Sequence, residues 1–236
     1  MTVETAATKF DLRCRETSEG LEEAQLDTLL SRIRACASEF SHEPRPVVQV
    51  TTETRLLICG QAPGRRVHES GLPFDDPSGD RLRQWLGLDR EAFYTDPRIG
   101  VTPMAFCFPG TDPKGGDYPP PPRCAALWRR SLLACLPKVE LTLLVGGYAQ
   151  RWALQHAWGC SMTATVRAWR DHGPAVIPLP HPRWPAQSGC AATRGSRMSR
   201  LLIYAIGLLP YWAAILPVTG QHHEILINSP GSPGRS

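Results

Sequence analysis

The chain has 236 residues, enough for one domain of ordinary size or one domain with appendages. With 42% hydrophobic and 20% charged residues it is globular in composition, and its 23 prolines and 20 glycines gather in loops and tail with no repeat behind them. A net charge of +4 suits a polyanionic partner and equally an ordinary basic surface. Residues 1–20 hold no apolar run, so no secretory signal is expected, and the eight cysteines are expected as buried thiols or metal ligands of a cytoplasmic protein, not as a disulfide scaffold.

Leu26, Leu29, Leu30 and Ile33 repeat at helical spacing, with acids early and arginines late, which predicts a helix over 21–40 closed by Pro44 and Pro46. Residues 1–21 are an N-terminal extension. Arg55 to Cys59 is a short apolar run stopped by Gly60, the signature of a buried strand. A loop rich in glycine, proline and charge follows, then a helix near 78–87. Ile99 to Phe106 is a second strand, interrupted by Pro103, and 109–122 is a Pro/Gly loop. A helix over 123–136 is expected to turn Leu127, Leu132, Leu133 and Leu136 inward. Leu141–Val145 is a third strand ending at Gly146-Gly147, 148–157 a helix, and Val176–Leu179 a fourth strand running into Pro180-His181-Pro182.

Strands that alternate with helices and are apolar on both faces predict an α/β fold. The expected form is a three-layer α/β/α sandwich around a mostly parallel four-stranded sheet. In such sheets ligands sit beyond the carboxyl ends of the strands. Two polar motifs stand at such ends: Gly60-Gln61-Ala62-Pro63-Gly64 after the first strand and His181-Pro182 after the last.

Each motif has a plain reading beside the functional one. Gly60 to Gly64 lets backbone approach a ligand, or merely makes a tight strand-to-helix turn; it lacks the Lys-Ser/Thr ending of a phosphate-binding P-loop. Arg65 and Arg66 meet phosphates or belong to a solvated loop. Phe74 is a stacking platform for a base or a core residue. His181, between two prolines, donates to a carbonyl oxygen or developing anion, or is structural. Cys36, Cys107 and Cys124 are metal ligands or scattered buried thiols.

Taken together, these motifs resemble the uracil-DNA glycosylase superfamily, and within it the bacterial branch near the iron–sulfur (family 4) enzymes. That group carries Gly-Glu-Ala-Pro-Gly, six residues, then Gly-x-Pro-Phe. Here Gly60-Gln61-Ala62-Pro63-Gly64 is followed by Arg65 to Ser70 and then Gly71-Leu72-Pro73-Phe74. Asp76-Pro77-Ser78-Gly79-Asp80-Arg81-Leu82, the stretch Leu143 to Gln150, and His181-Pro182-Arg183 extend the likeness over residues 22–183.

The resemblance implies a glycosylase that hydrolyses the N-glycosidic bond of uracil or a related deaminated base in DNA, acting as a monomer in base excision repair and not at a membrane. The target nucleotide is flipped out of the stack. Phe74 would stack on the base, and Gly60, Gln61 and Ala62 would hold base and water. His181 would stabilise the departing anion, and Arg65, Arg66 and Arg183 would meet DNA. Gln61 stands where the iron–sulfur group has Glu, and Thr102-Pro103-Met104 where it has the Asn that reads uracil. The chemistry requires no cofactor. Cys36, Cys107 and Cys124 match three ligands of the family's [4Fe–4S] cluster, and Glu39, a poor substitute for thiolate, stands at the fourth. Gln61, the missing Asn and Arg183 keep a second reading open, a DNA-binding or damage-sensing homologue without turnover.

After Arg183 the family pattern stops, and 184–236 is a non-family tail. Read in a frame where each codon takes the last base of one residue's codon and the first two of the next, residues 189–198 permit Trp-Leu-Arg-Arg-Asn-Pro-Trp-Phe-Glu-Asp, which resembles the family's closing segment. The tail is therefore expected to be out of frame, which leaves an inactive product of a frameshifted gene as a third reading. Residues 201–218 carry no charge and are just long enough to span a membrane, but Pro210 and Pro217 interrupt them, and out-of-frame translation accounts for the run.

Overall fold

The structure, a computed structural model, describes residues 6–36 and 42–183, and only the backbone of 6–19. Four strands form the sheet: β1 (Leu56–Gly60), β2 (Ile99–Pro103), β3 (Leu141–Val145) and β4 (Val176–Leu179). Their order is β2-β1-β3-β4 and all pairs are parallel. The mostly parallel expectation is thus met by a wholly parallel sheet. β1 and β2 are buried at every position, because helices cover both faces.

Alternation along the strands divides the core. On one face Leu56, Ile58, Ile99, Val101, Leu143 and Ile177 meet Leu82 and Leu86 of α3 (Pro77–Leu86) and Phe93 of α4 (Arg90–Thr95). On the other, Leu57, Cys59 and Leu144 meet Leu26, Leu29, Leu30 and Ile33 of α1 (Ala6–Arg34), and Ala149 of α7 (Gly147–Leu154). The three-layer sandwich follows.

Local differences from the expected elements have local reasons. α1 begins at Ala6, inside the expected extension, and ends at Arg34 rather than 40. Arg65–Ser70, expected as loop, is the short helix α2, closed by Gly71 at φ 74°. β2 ends at Pro103 because the next amide, of Met104, turns back to the carbonyls of Gly60 and Gln61 at 3.0 and 2.9 Å.

The segment expected as a helix over 123–136 is α5 (Pro122–Cys124), a π-helical turn (Ala125–Arg129) and α6 (Arg130–Ala134). The wider turn shifts the inward face. Leu127, expected inside, is 50% exposed, and Arg129 is buried in its stead. Arg129 donates to the carbonyl and hydroxyl of Thr102 and to Cys59, and lies over the Trp152 ring. No helix among the described residues is long and apolar enough to cross a membrane; residues 201–218 lie outside the described residues.

Candidate active site

The carboxyl ends of the strands open on a cavity of about 200 Å³. Gly60, Gln61, Ala62 and Gly64 from the turn after β1 line it, as do Val101 and Pro103 of β2, and His181 and Arg183 beyond β4. Phe74, Asp76 and Ser78 line it from the approach to α3, and Asp117 from the Pro/Gly loop. Residues far apart in sequence meet because a parallel sheet brings all strand ends to one edge.

Phe74 is held in an uncommon backbone state, φ 56°, where a non-glycine residue is strained. Three contacts hold it there. Its carbonyl accepts a hydrogen bond from the buried guanidinium of Arg83 at 3.2 Å. The Tyr94 hydroxyl donates to the carbonyl of Pro73 at 3.0 Å. Asp75 pairs with Arg90 at 2.8 Å, and that hydrogen bond holds the Asp75 carboxyl below the usual range. The ring rests on the backbone of β1, since a Cβ on Gly60 would lie 3.2 Å from its tip.

His181 is fixed from three sides. Arg81 of α3 donates to the carbonyl of Pro182 at 2.6 Å. The buried Gln150 amide ties the carbonyls of Leu144 and Leu179, joining the ends of β3 and β4 at 3.1 and 2.7 Å. Gly146, at φ 87°, brings its backbone against the imidazole, and a Cβ there would lie 3.4 Å from the ring. Burial holds the imidazole below its ordinary pKa, outweighing the opposing pull of Asp76. His181 Nδ1 accepts the amide of Arg183 at 3.1 Å. A neutral ring that accepts at Nδ1 carries its proton on Nε2. The site therefore presents a neutral N–H donor.

Gln61 is placed by its backbone: its carbonyl accepts the amides of Met104 and Ala105 at 2.9 and 3.1 Å. Thr102, in the region expected to read uracil, turns its hydroxyl to Arg129 and Cys59, away from the cavity-lining pair Val101 and Pro103.

Not every expected site residue lines the cavity. Arg65 and Arg66 are exposed on α2, with Arg65 3.5 Å from the Thr111 hydroxyl; neither forms part of the wall. Arg183 is 72% exposed at the mouth and pairs with Asp117 at 3.7 Å. Cys36 and Cys124 are near enough to interact, and burial first, then Cys36, push the Cys124 thiol up. Cys107 is buried. Among the described residues no three His, Cys, Asp or Glu side chains are grouped to hold a metal, and Glu39 lies outside the described residues.

Asp76 and Asp117 were absent from the sequence-derived site. Asp76 had a signal, an Asp before Pro-Ser-Gly at a helix start. Asp117, in a glycine-rich loop without periodicity, had none.

The family model described as "Uracil DNA glycosylase superfamily" matches residues 47–193, more than half of the chain. The chain belongs to the uracil DNA glycosylase superfamily. The match takes in every cavity-lining residue of this glycosylase-superfamily chain, from Val47 to Arg183. Among solved structures it is similar to the wild-type SMUG2 of Pedobacter heparinus, at 13% identity over 80% of this chain and 98% of that one, with a TM-score of 0.44.

Proposed function

We propose that this chain is a monofunctional DNA glycosylase that releases uracil or a related deaminated base from DNA by hydrolysis. The observation that carries the reading is the neutral, rigid His181 N–H donor sharing one cavity with the strained Phe74 ring. Breaking an N-glycosidic bond puts negative charge on the base and positive charge on the sugar. A preorganised donor at the base oxygen lowers that barrier without reorganising during the reaction. Phe74 stacks on the flipped base, and a sequence-tolerant π contact suits a pocket with no side-chain amide on β2 to enforce uracil. Backbone groups of Gly60 to Ala62 and the Gln61 amide complete the cradle. Arg183, at the mouth, and the exposed Arg65 and Arg66 meet phosphates.

The motif spacing supports placement in the branch near the iron–sulfur enzymes. No step of this chemistry passes through a cluster. The protein acts on DNA as a monomer in the cytoplasm on this reading.

The test is single-turnover incubation with DNA carrying one uracil, hypoxanthine or xanthine. Free base and an alkali-labile abasic site, with the strand intact, are expected. Gln61, which takes up no proton, favours the alternative of a damage-binding protein. Tight binding of such DNA with no base released would establish that alternative.

A further inference from the structure

We propose that Asp117 is a catalytic carboxylate of this site, facing the sugar of the flipped nucleotide, where it takes the proton of the attacking water and stabilises the cationic sugar. The inference rests on the glycosylase reading and adds to it the group that position 61 lacks. An amide orients water but does not accept its proton. The cavity wall holds two carboxylates, Asp76 and Asp117.

Asp76 is committed to the fold. Its Oδ1 accepts from the amides of Ser78 and Gly79, both at 3.0 Å, and from the Ser78 hydroxyl at 2.6 Å, capping α3. With three donors already on it, that oxygen is occupied by the helix cap and is not open to a water.

Asp117 is the opposite case. Its backbone is fixed in a tight loop: it bridges Thr111, Gly116 accepts the amide of Asp112 at 2.9 Å, and Tyr118 donates to Gly110 at 2.9 Å. Its side chain is only 26% exposed and lies against the turn after β1, where a Cβ on Gly64 would be 3.3 Å from Oδ2. Its ion-pair partner among the described residues is the 72% exposed Arg183, at 3.7 Å, too long for a hydrogen bond. Such a pair contributes little. No described residue donates a hydrogen bond to this half-buried carboxylate, so water can reach it from the cavity. Lone pairs that accept from no described residue, on a carboxylate that lines the cavity, point to a reacting water.

In the step, the C1′–N bond breaks and its electron pair goes to the base, whose oxygen accepts the His181 Nε2–H. The water oxygen bonds to C1′, its proton passes to Asp117 and then to solvent, and the released base anion takes a proton from solvent.

The experiment compares the full chain with D117N and D117E. General-base loss lowers single-turnover excision about 10²- to 10⁴-fold in D117N, with D117E recovering part of it and circular dichroism unchanged. A second readout does not need turnover: affinity for DNA with a cationic pyrrolidine abasic analogue against a neutral tetrahydrofuran one. The parent prefers the cation, and D117N loses the preference while keeping its affinity for the neutral site. Parent-like excision, or a parent-like cation preference, in D117N overturns the proposal and leaves the glycosylase reading standing. A parent that neither excises any base nor binds abasic DNA overturns both.

Discussion

Gly79→Ala should be the most damaging small substitution near the site. Gly79 occupies the third position of α3. If it were an ordinary helical glycine, alanine there would stabilise by roughly 1 kcal/mol through helix propensity. Here a Cβ would lie 1.7 Å from the Phe74 carbonyl oxygen and 2.6 Å from its carbon, both backbone atoms. The Phe74 turn must move, which breaks its hydrogen bond from Arg83. Overpacking costs about 1–3 kcal/mol, and losing a hydrogen bond from a charged donor about 1.5–3 kcal/mol. The sum, roughly 2.5–6 kcal/mol, corresponds to a fall in Tm of about 5–24 °C for a chain of this size. Gly87→Ala is the control: φ is 64° with no atom within 4 Å, so only backbone strain of about 1–2 kcal/mol applies. Thermal unfolding measures both, and excision well below either Tm should fall at least tenfold in Gly79→Ala alone. A Gly79→Ala protein as stable as the parent would show that the close approach of α3 does not position Phe74.

Other outcomes follow from the same geometry. Phe74→Ala should lower single-turnover excision about ten- to hundredfold, the worth of one stacked base; parent-like rates on every deaminated base would remove Phe74 from the site. His181 and His68 both have pKa values lowered, first of all by burial, so the unfolded chain binds more protons than the folded one. Stability is then full above the unfolded value of about 6.5 and declines as pH falls below it. Urea midpoints at pH 7.5 and 5.5 measure this, and an unchanged or higher midpoint at pH 5.5 contradicts it.

Strands buried on both faces leave a strong trace in sequence, which is why Leu56–Gly60, Leu141–Val145 and Val176–Leu179 were legible as a parallel sheet, and why Gly60 and His181 could be placed at its active edge. α2 and α4 were not legible: helices of six residues are too short to show a period. The burial of Arg129 was hidden because the π-helical turn breaks the spacing from which inward faces are inferred. The strain at Phe74 was equally hidden, since it is imposed by Arg83, Tyr94 and Gly79 acting through tertiary contacts. Asp117 reaches the cavity only because its loop folds over the turn after β1, and no local pattern encodes that approach.

The tail from residue 184 lies outside the described residues, and its codons carry a second reading frame. The first two bases of a codon are largely set by its amino acid. Gly189, Cys190, Ala191 and Ala192 thus fix xGG, xTG, xGC and xGC in the shifted frame, which admit Trp, Leu, Arg and Arg. Thr193 to Ser196 admit Asn, Pro, Trp and Phe in the same way. A wedge segment beside a flipped base offsets the few kcal/mol of unstacking, so a chain without it should bind DNA but excise slowly. If the run 201–218 is out-of-frame translation, it was never selected to pack, and such an apolar stretch should promote association. We expect the chain carrying the shifted-frame tail to be more soluble, and at least tenfold faster on uracil-containing DNA, than the chain as it stands. Sequencing the gene across codons 180–200 and assaying the two chains side by side decides it. Equal solubility and rate, or codons that cannot encode Trp-Leu-Arg-Arg-Asn-Pro-Trp-Phe, would show that the tail belongs to this protein as written.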